Sequence, residues 1–354
     1  MMARSIEEYP SFGKLREYCE ALELAANFIQ ENTPQKIRVA FILLHNVAEL
    51  LMYQISKRAF DYDEFTSKVI PPRFSRTLKR KVRREFTEQI RFVISQGVLS
   101  EGEGLTLQIA HAYRTPAFHR DVHNPRALQA LACLLFSPIA TLFDKASKGR
   151  GSSCSEEEKA WLESYGVICD GIAMFDTISV ALVTAIRAEI PLDFKGIRSV
   201  LCGDLDERIS VVESKISPDD ELGCMVTDWP VALSEAMFWN SFDEHVAGAE
   251  YWGLKWRIGA GENVSPEEFL KAENDFSTER ARQKAAFMPP FELRQLPELK
   301  EKVEELMTIT DPSRLAGEYH GIDGKLLLFE DAVEDVRNSV DAAIQHAIDV
   351  ARGK

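Results

Sequence analysis

The chain has 354 residues, 45 % of them hydrophobic and 28 % charged, with a formal net charge of −14. These are ordinary values for a globular protein and give no sign of wholesale disorder or of a polytopic membrane protein. A single core rarely grows to this length, so two domains are expected.

The charge is uneven. Residues 1–150 carry 22 Lys and Arg against 16 Asp and Glu, whereas the rest carry 20 against 40. A positive half inside an acidic chain is a candidate polyanion-binding surface. Met1 to Pro10 contains Glu7 and Glu8 and lacks the apolar core of a signal peptide, so a cytoplasmic location is expected. Cys19, Cys133, Cys154, Cys169, Cys202 and Cys224 are scattered without a C-x-x-C pair, which argues against a disulfide framework and a structural zinc site. No metal and no cofactor is expected.

Leu15, Cys19, Leu22, Ala26 and Ile29 recur at helical spacing, and Pro34 follows as a stop. A second helix carries Ile37, Phe41, Leu44, Ala48, Leu51 and Ile55, so the two are expected to pack as an antiparallel hairpin. A third, over 74–95, is expected to bury Phe74, Leu78, Val82, Phe86, Ile90 and Val93. Its opposite face carries Arg76, Arg80, Arg83, Arg84 and Arg91, a basic stripe that either holds RNA phosphates or is simply solvated.

A short helix near Leu105 to Tyr113 is expected to stop at Pro116, because proline disfavours helical geometry at the residue before it. Asn124-Pro125 starts the next helix, running to about Lys145 through Pro138. Its uncharged run, Ala127 to Phe143, falls short of the roughly 20 apolar residues of a membrane span and reads as a buried helix. Lys148 to Ser155 is small and polar and coincides with the change of charge sign. The expected division is therefore a bundle over 1–147, a linker over 148–155 and an acidic, mainly helical domain over 156–354. Ser155, Ser217-Pro218 and Ser265-Pro266 each resemble helix starts. Trp239, Trp252 and Trp256 read as core packing rather than base-stacking groups.

An arginine followed after four to six residues by a histidine is a spacing of interest. It occurs three times, at Arg38 to His45, Arg114 to His119 and Arg314 to His320. The first pair lies within one helix at a rise of roughly 10 Å, far for two groups sharing one phosphate. The third falls in a Gly-containing segment of the acidic half, where the field repels a polyanion. Arg114 and His119 bracket a proline-marked turn in the positive half.

The segment Leu43-Leu44-His45-Asn46-Val47-Ala48-Glu49-Leu50-Leu51 resembles the second-helix signature of HEPN domains, which is followed downstream by an R-x4-6-H motif. The resemblance covers about residues 12–146. It implies a helical bundle, often dimeric, and a metal-independent endoribonuclease in which Arg114 and His119 are the catalytic pair. Thr115 stands where many active members carry a polar residue such as Asn. His45 and Glu49, one turn apart, are candidates for orienting a catalytic group, and His123 for assisting His119. The same residues read equally as a buried structural pair and an exposed histidine.

RNA carries its own nucleophile, the 2′-hydroxyl. A neutral imidazole near its ordinary pKa of about 6.5 takes the 2′-proton, and an imidazolium gives one to the leaving 5′-oxygen. One histidine cannot do both at once, so a homodimer facing two Arg114/His119 pairs is expected. The family implies cellular RNA as target, in a toxin or antiviral defence role, with the acidic half regulating the site or recruiting a protein partner. The alternative is a non-catalytic HEPN-like module that binds RNA or protein.

Overall fold

A computed structural model describes residues 12–119, 125–147, 151–169, 172–242, 249–259, 262, 264–289 and 292–352. Among the described residues the fold is all-α apart from one two-stranded ribbon, and its helices fall into two compact units. The first comprises residues 1–204 and 305–320, the second 205–304 and 321–354. This division does not follow the change of charge sign near residue 150. Counted over these units, Lys and Arg stand at 27 against 28 Asp and Glu in the first and at 15 against 28 in the second. The acidic excess thus belongs to the second unit, and basic character in the first is local.

Helix α1 (Phe12–Glu31) and helix α2 (Pro34–Thr66) form the expected hairpin. Pro34 does not stop α1; it opens α2 behind Thr33, whose side chain caps the backbone of Lys36. Asn32 makes the turn with φ of 51°, the left-handed region that asparagine tolerates. Helix α2 buries Ile37, Phe41, Leu44, Val47, Leu51 and Met52 on the stripe that their spacing dictates.

The expected third helix is two, α3 (Arg76–Val82) and α4 (Phe86–Ser95), separated by the exposed residues Arg83, Arg84 and Glu85. Glu85 is extended (φ −117°, ψ 117°), and Val82 and Phe86 are buried on either side of the break. Helix α5 (Glu101–His119) continues through Pro116 rather than stopping before it. A proline inside a helix costs about 3 kcal/mol. Burial of Leu107, Ile109, Ala110 and Tyr113 along α5 offsets that cost. Gly104 admits α4 closely, since a Cβ there would run into Ile94.

Helix α6 (Pro125–Ser147) starts where Pro125 predicts and keeps Pro138 inside it. By length and composition α2 and α6 could each cross a membrane, but 78 % of the apolar window of α6 is buried, which makes it a core helix packed on α2. Strands β1 (Gly151–Ser153) and β2 (Ile172–Met174) pair antiparallel within the segment expected to be linker and the start of the acidic half. Between them, Ser155 caps α7 (Glu156–Glu163) in a reciprocal capping box with Glu158. Cys154 and Cys169 bring their sulfurs to 3.7 Å, a proximity that their spacing in the sequence did not show.

Helix α8 (Phe175–Ala188) packs on α1 and α6, and Gln30 donates to the carbonyl of Glu189 at 2.6 Å. A chain cut near Lys148 would therefore lose part of the first unit, not a separable domain.

Helix α9 (Phe194–Ile216) ends at Ser217-Pro218, which starts a turn and not a helix. The second unit continues with α10 (Trp229–Ser241), α11 (Ala249–Gly259), α12 (Pro266–Ala286) and α13 (Leu296–Leu306). Phe238, Phe242 and Phe276 form its aromatic core with Tyr251 and Phe287. Trp256 is 74 % exposed and so is not a core residue as expected; Trp239 is partly exposed beneath Arg280. The last helix, α14 (Pro312–Ala351), absorbs the glycines at 317, 321 and 324. Residues 314–320 are therefore helix, not loop, and belong to the first unit. Close approach to Leu105 at Gly317 is what the small residue permits there.

Candidate functional site

Arg114 lies on α5, and its Nη1 is 4.0 Å from Oε2 of Glu49 on α2. Both groups are partly exposed, so this is an ion pair at the surface of the bundle rather than a buried bridge. One turn before Glu49, His45 is buried, 1 % exposed. Its Nε2 lies 3.1 Å from Nδ1 of His111, which sits on α5 three residues before Arg114. Residues three apart share a helix face, so His111 and Arg114 are neighbours.

Phe86, the first residue of α4, stacks on both imidazoles, with centroids 4.5 Å from His45 and 4.4 Å from His111. Three helices thus converge on one cluster: His45 and Glu49 from α2, Phe86 from α4, His111 and Arg114 from α5. The sequence singled out His45, Glu49 and Arg114 but missed His111. The signal available was its position three residues before Arg114, which a search for histidines after arginines passes over.

Burial pushes the His45 pKa down to about 3, with the charges of Arg114 and His111 acting in the same direction. The His111 pKa is lowered by burial and by Arg114, against an opposing pull from Glu49. Both rings are neutral near pH 7. His45 Nδ1 is buried without a hydrogen-bond partner. An orphaned buried acceptor is better tolerated than an orphaned N–H, so His45 carries its proton on Nε2 and donates to His111 Nδ1. His111, an exposed residue, then carries its own proton on Nε2.

A histidine that is neutral when folded and ordinary when unfolded takes up its proton preferentially in the unfolded chain. Its contribution to stability is full above the unfolded pKa near 6.5 and is lost as pH falls below it. For His45 the expected loss is about 2 kcal/mol between pH 7.5 and pH 5. His45→Gln should flatten that acid limb in thermal melts recorded across the range. An unchanged slope would show that His45 is not the group responsible.

His119 closes α5, but its side chain and that of Thr115 lie outside the described residues, as does His123 entirely. Along the backbone, residue 119 is about 7.5 Å beyond residue 114 and about 140° further around the helix. The two do not share a face of α5. The other two arginine–histidine pairs separate as well: His45 turns inward to His111, and His320 Nδ1 stands 3.4 Å from the hydroxyl of Tyr113.

The basic stripe is divided by the break between α3 and α4. Arg76, Arg80, Arg83 and Arg84 line an open cleft of about 660 Å³ with Lys79 and Phe74. Lys79 is held by the buried carboxylate of Asp63 at 2.8 Å, whereas the four arginines are exposed. Arg91 is not part of the cleft; it bonds Glu88 at 2.6 Å on α4. The cleft wall ends at Arg83 and Arg84, two residues before Phe86 of the imidazole cluster. Among the described residues no group of three or more His, Cys, Asp or Glu side chains could hold a metal ion. No protein-family model, curated protein or solved structure matches the chain.

Proposed function

We propose that the protein is a metal-independent endoribonuclease of the HEPN type, cutting RNA by attack of the 2′-hydroxyl on the adjacent phosphate. The observation that carries this reading is Arg114, an accessible guanidinium tethered to Glu49 and flanked by imidazole, in the unit that also bears the arginine cleft. A guanidinium donates two parallel hydrogen bonds to a phosphate, and its charge offsets the negative charge that builds on the pentavalent phosphorus. His119, from the R-x4-6-H motif, is the proton carrier. A homodimer facing two Arg114/His119 pairs across a cleft supplies base, acid and two guanidinium groups. The acidic second unit is the place for a regulatory protein partner.

The second reading is a non-catalytic RNA-binding module. The unbroken α5 favours it, because one chain by itself does not place residues 114 and 119 at a common phosphate. Incubating the purified protein with total RNA in EDTA, beside His119→Ala, separates the two. The proposed activity gives cleavage by the wild type, ends bearing a 2′,3′-cyclic phosphate or its hydrolysed product, and none in the variant. A deoxyribose at the cut site should stop the reaction. Retention of RNA without cleavage would establish the second reading.

A further inference from the structure

We infer that His111 is a second phosphate ligand beside Arg114, donating from Nε2 to a non-bridging oxygen, and that His45 is the positioning residue that fixes it as a donor. The inference rests on the ribonuclease reading for its substrate, but the anion-binding geometry is carried by the cluster itself.

His111 and Arg114 present a neutral N–H and a cationic fork from adjacent positions of one helix face. His111 Nδ1 is taken up by His45 at 3.1 Å, and the ring is clamped against Phe86 at 4.4 Å. The ring is therefore held by two contacts that leave only Nε2 for a ligand. His45 is buried and has no other hydrogen-bond partner, so reversing the pair would bury an N–H with nothing to receive it. That asymmetry makes His111 a donor and excludes it as the base. Among the described residues, the groups facing the ring are His45 and Glu49 from α2, Phe86 from α4 and Arg114 from α5. Of these only Arg114 is cationic, and it disfavours a second positive charge next to it.

In the cleavage step the 2′-oxygen bonds to phosphorus as its proton leaves to a base, and the bond to the 5′-oxygen breaks as that oxygen gains a proton. His111 moves no proton in this scheme. It shortens its hydrogen bond to the non-bridging oxygen as negative charge accumulates there, which is why the contact acts on rate more than on binding. Arg83 and Arg84, just before Phe86 in the sequence, line the neighbouring cleft and are exposed.

The test combines activity with a probe that needs no cleavage. His111→Ala should lower kcat by about 100-fold or more with a smaller change in KM, and His111→Gln, which keeps a donor, should lose less. Sulfur in place of the non-bridging oxygen should slow the wild type and have little further effect on His111→Ala. Equal sensitivity to sulfur in both proteins, or full activity in His111→Ala, would overturn the assignment. Separately, an RNA with 2′-O-methyl riboses, which cannot be cut, should shift the His111 ring resonances of the wild type and leave them in place in Arg114→Ala. A shift with no cleavage of ordinary RNA would sink the ribonuclease reading and leave the anion site standing. No shift would sink the anion site itself.

Discussion

Arg114→Ala should reduce RNA cleavage by about 100- to 1,000-fold, the loss that follows when one preorganised donor is removed from a developing anion. The fold should survive, because the side chain is partly exposed and its ion pair with Glu49 spans 4.0 Å. Exposed pairs of this kind contribute about 0–1 kcal/mol. Arg114→Lys keeps the charge but not the fork, and it should recover only part of the rate. The measurement is initial cleavage velocity for the three proteins, with thermal melts as a control. A melt unchanged and a velocity unchanged in Arg114→Ala would remove Arg114 from the site. A velocity lost together with the melt would place it in the structure of the bundle instead.

Arg208→Ala should destabilise the second unit by about 3–5 kcal/mol, the cost of taking the cation out of a buried ion-pair cluster. Arg208 donates from Nη1 to Asp323 at 2.5 Å and from Nε and Nη2 to Glu330 at 2.9 and 2.7 Å. Burial works against its charge, but the bonds from Glu330 and Asp323 outweigh that and raise its pKa. Asp323 is 4 % exposed, so water makes up little of the guanidinium's contribution when it goes. Adding Asp323→Asn and Glu330→Gln to Arg208→Ala should restore part of the loss by removing the excess negative charge. Trp229, Trp239, Trp252 and Trp256 all lie in the second unit, so urea unfolding followed by tryptophan fluorescence reports on it. A midpoint shift as small as that of an exposed pair would show that water reaches the triad.

Local chemistry was legible wherever it acted over a few residues. The stripe of α1 and α2, the entry of α6 at Pro125 and the capping box at Ser155 each depend on neighbours within one or two turns, and periodicity or a cap side chain announces them. The misread boundaries have a common cause. Pro116 and the glycines of α14 disfavour helix locally, and burial along α5 in the first unit, and along α14 in both units, overrides that preference. The division of the basic stripe was not legible in short-range spacing: Glu85 leaves the helical region between α3 and α4, and Phe86 stacks on His45 and His111 from the first position of α4.

The sequence by itself determined an all-α chain, an N-terminal helical hairpin, and Arg114 as a cation followed by a histidine. Those properties are set by composition and short-range spacing. Only the tertiary structure decided that His45 and His111, 66 residues apart, share a hydrogen bond, that Glu49 tethers Arg114, and that residues 305–320 join the first unit. These follow from how buried faces of distant helices meet, which no window of neighbouring residues encodes. The candidate site has accordingly moved from a pair on a turn to a cluster on three helices. His111 entered it because burial, not spacing, holds His45 against it.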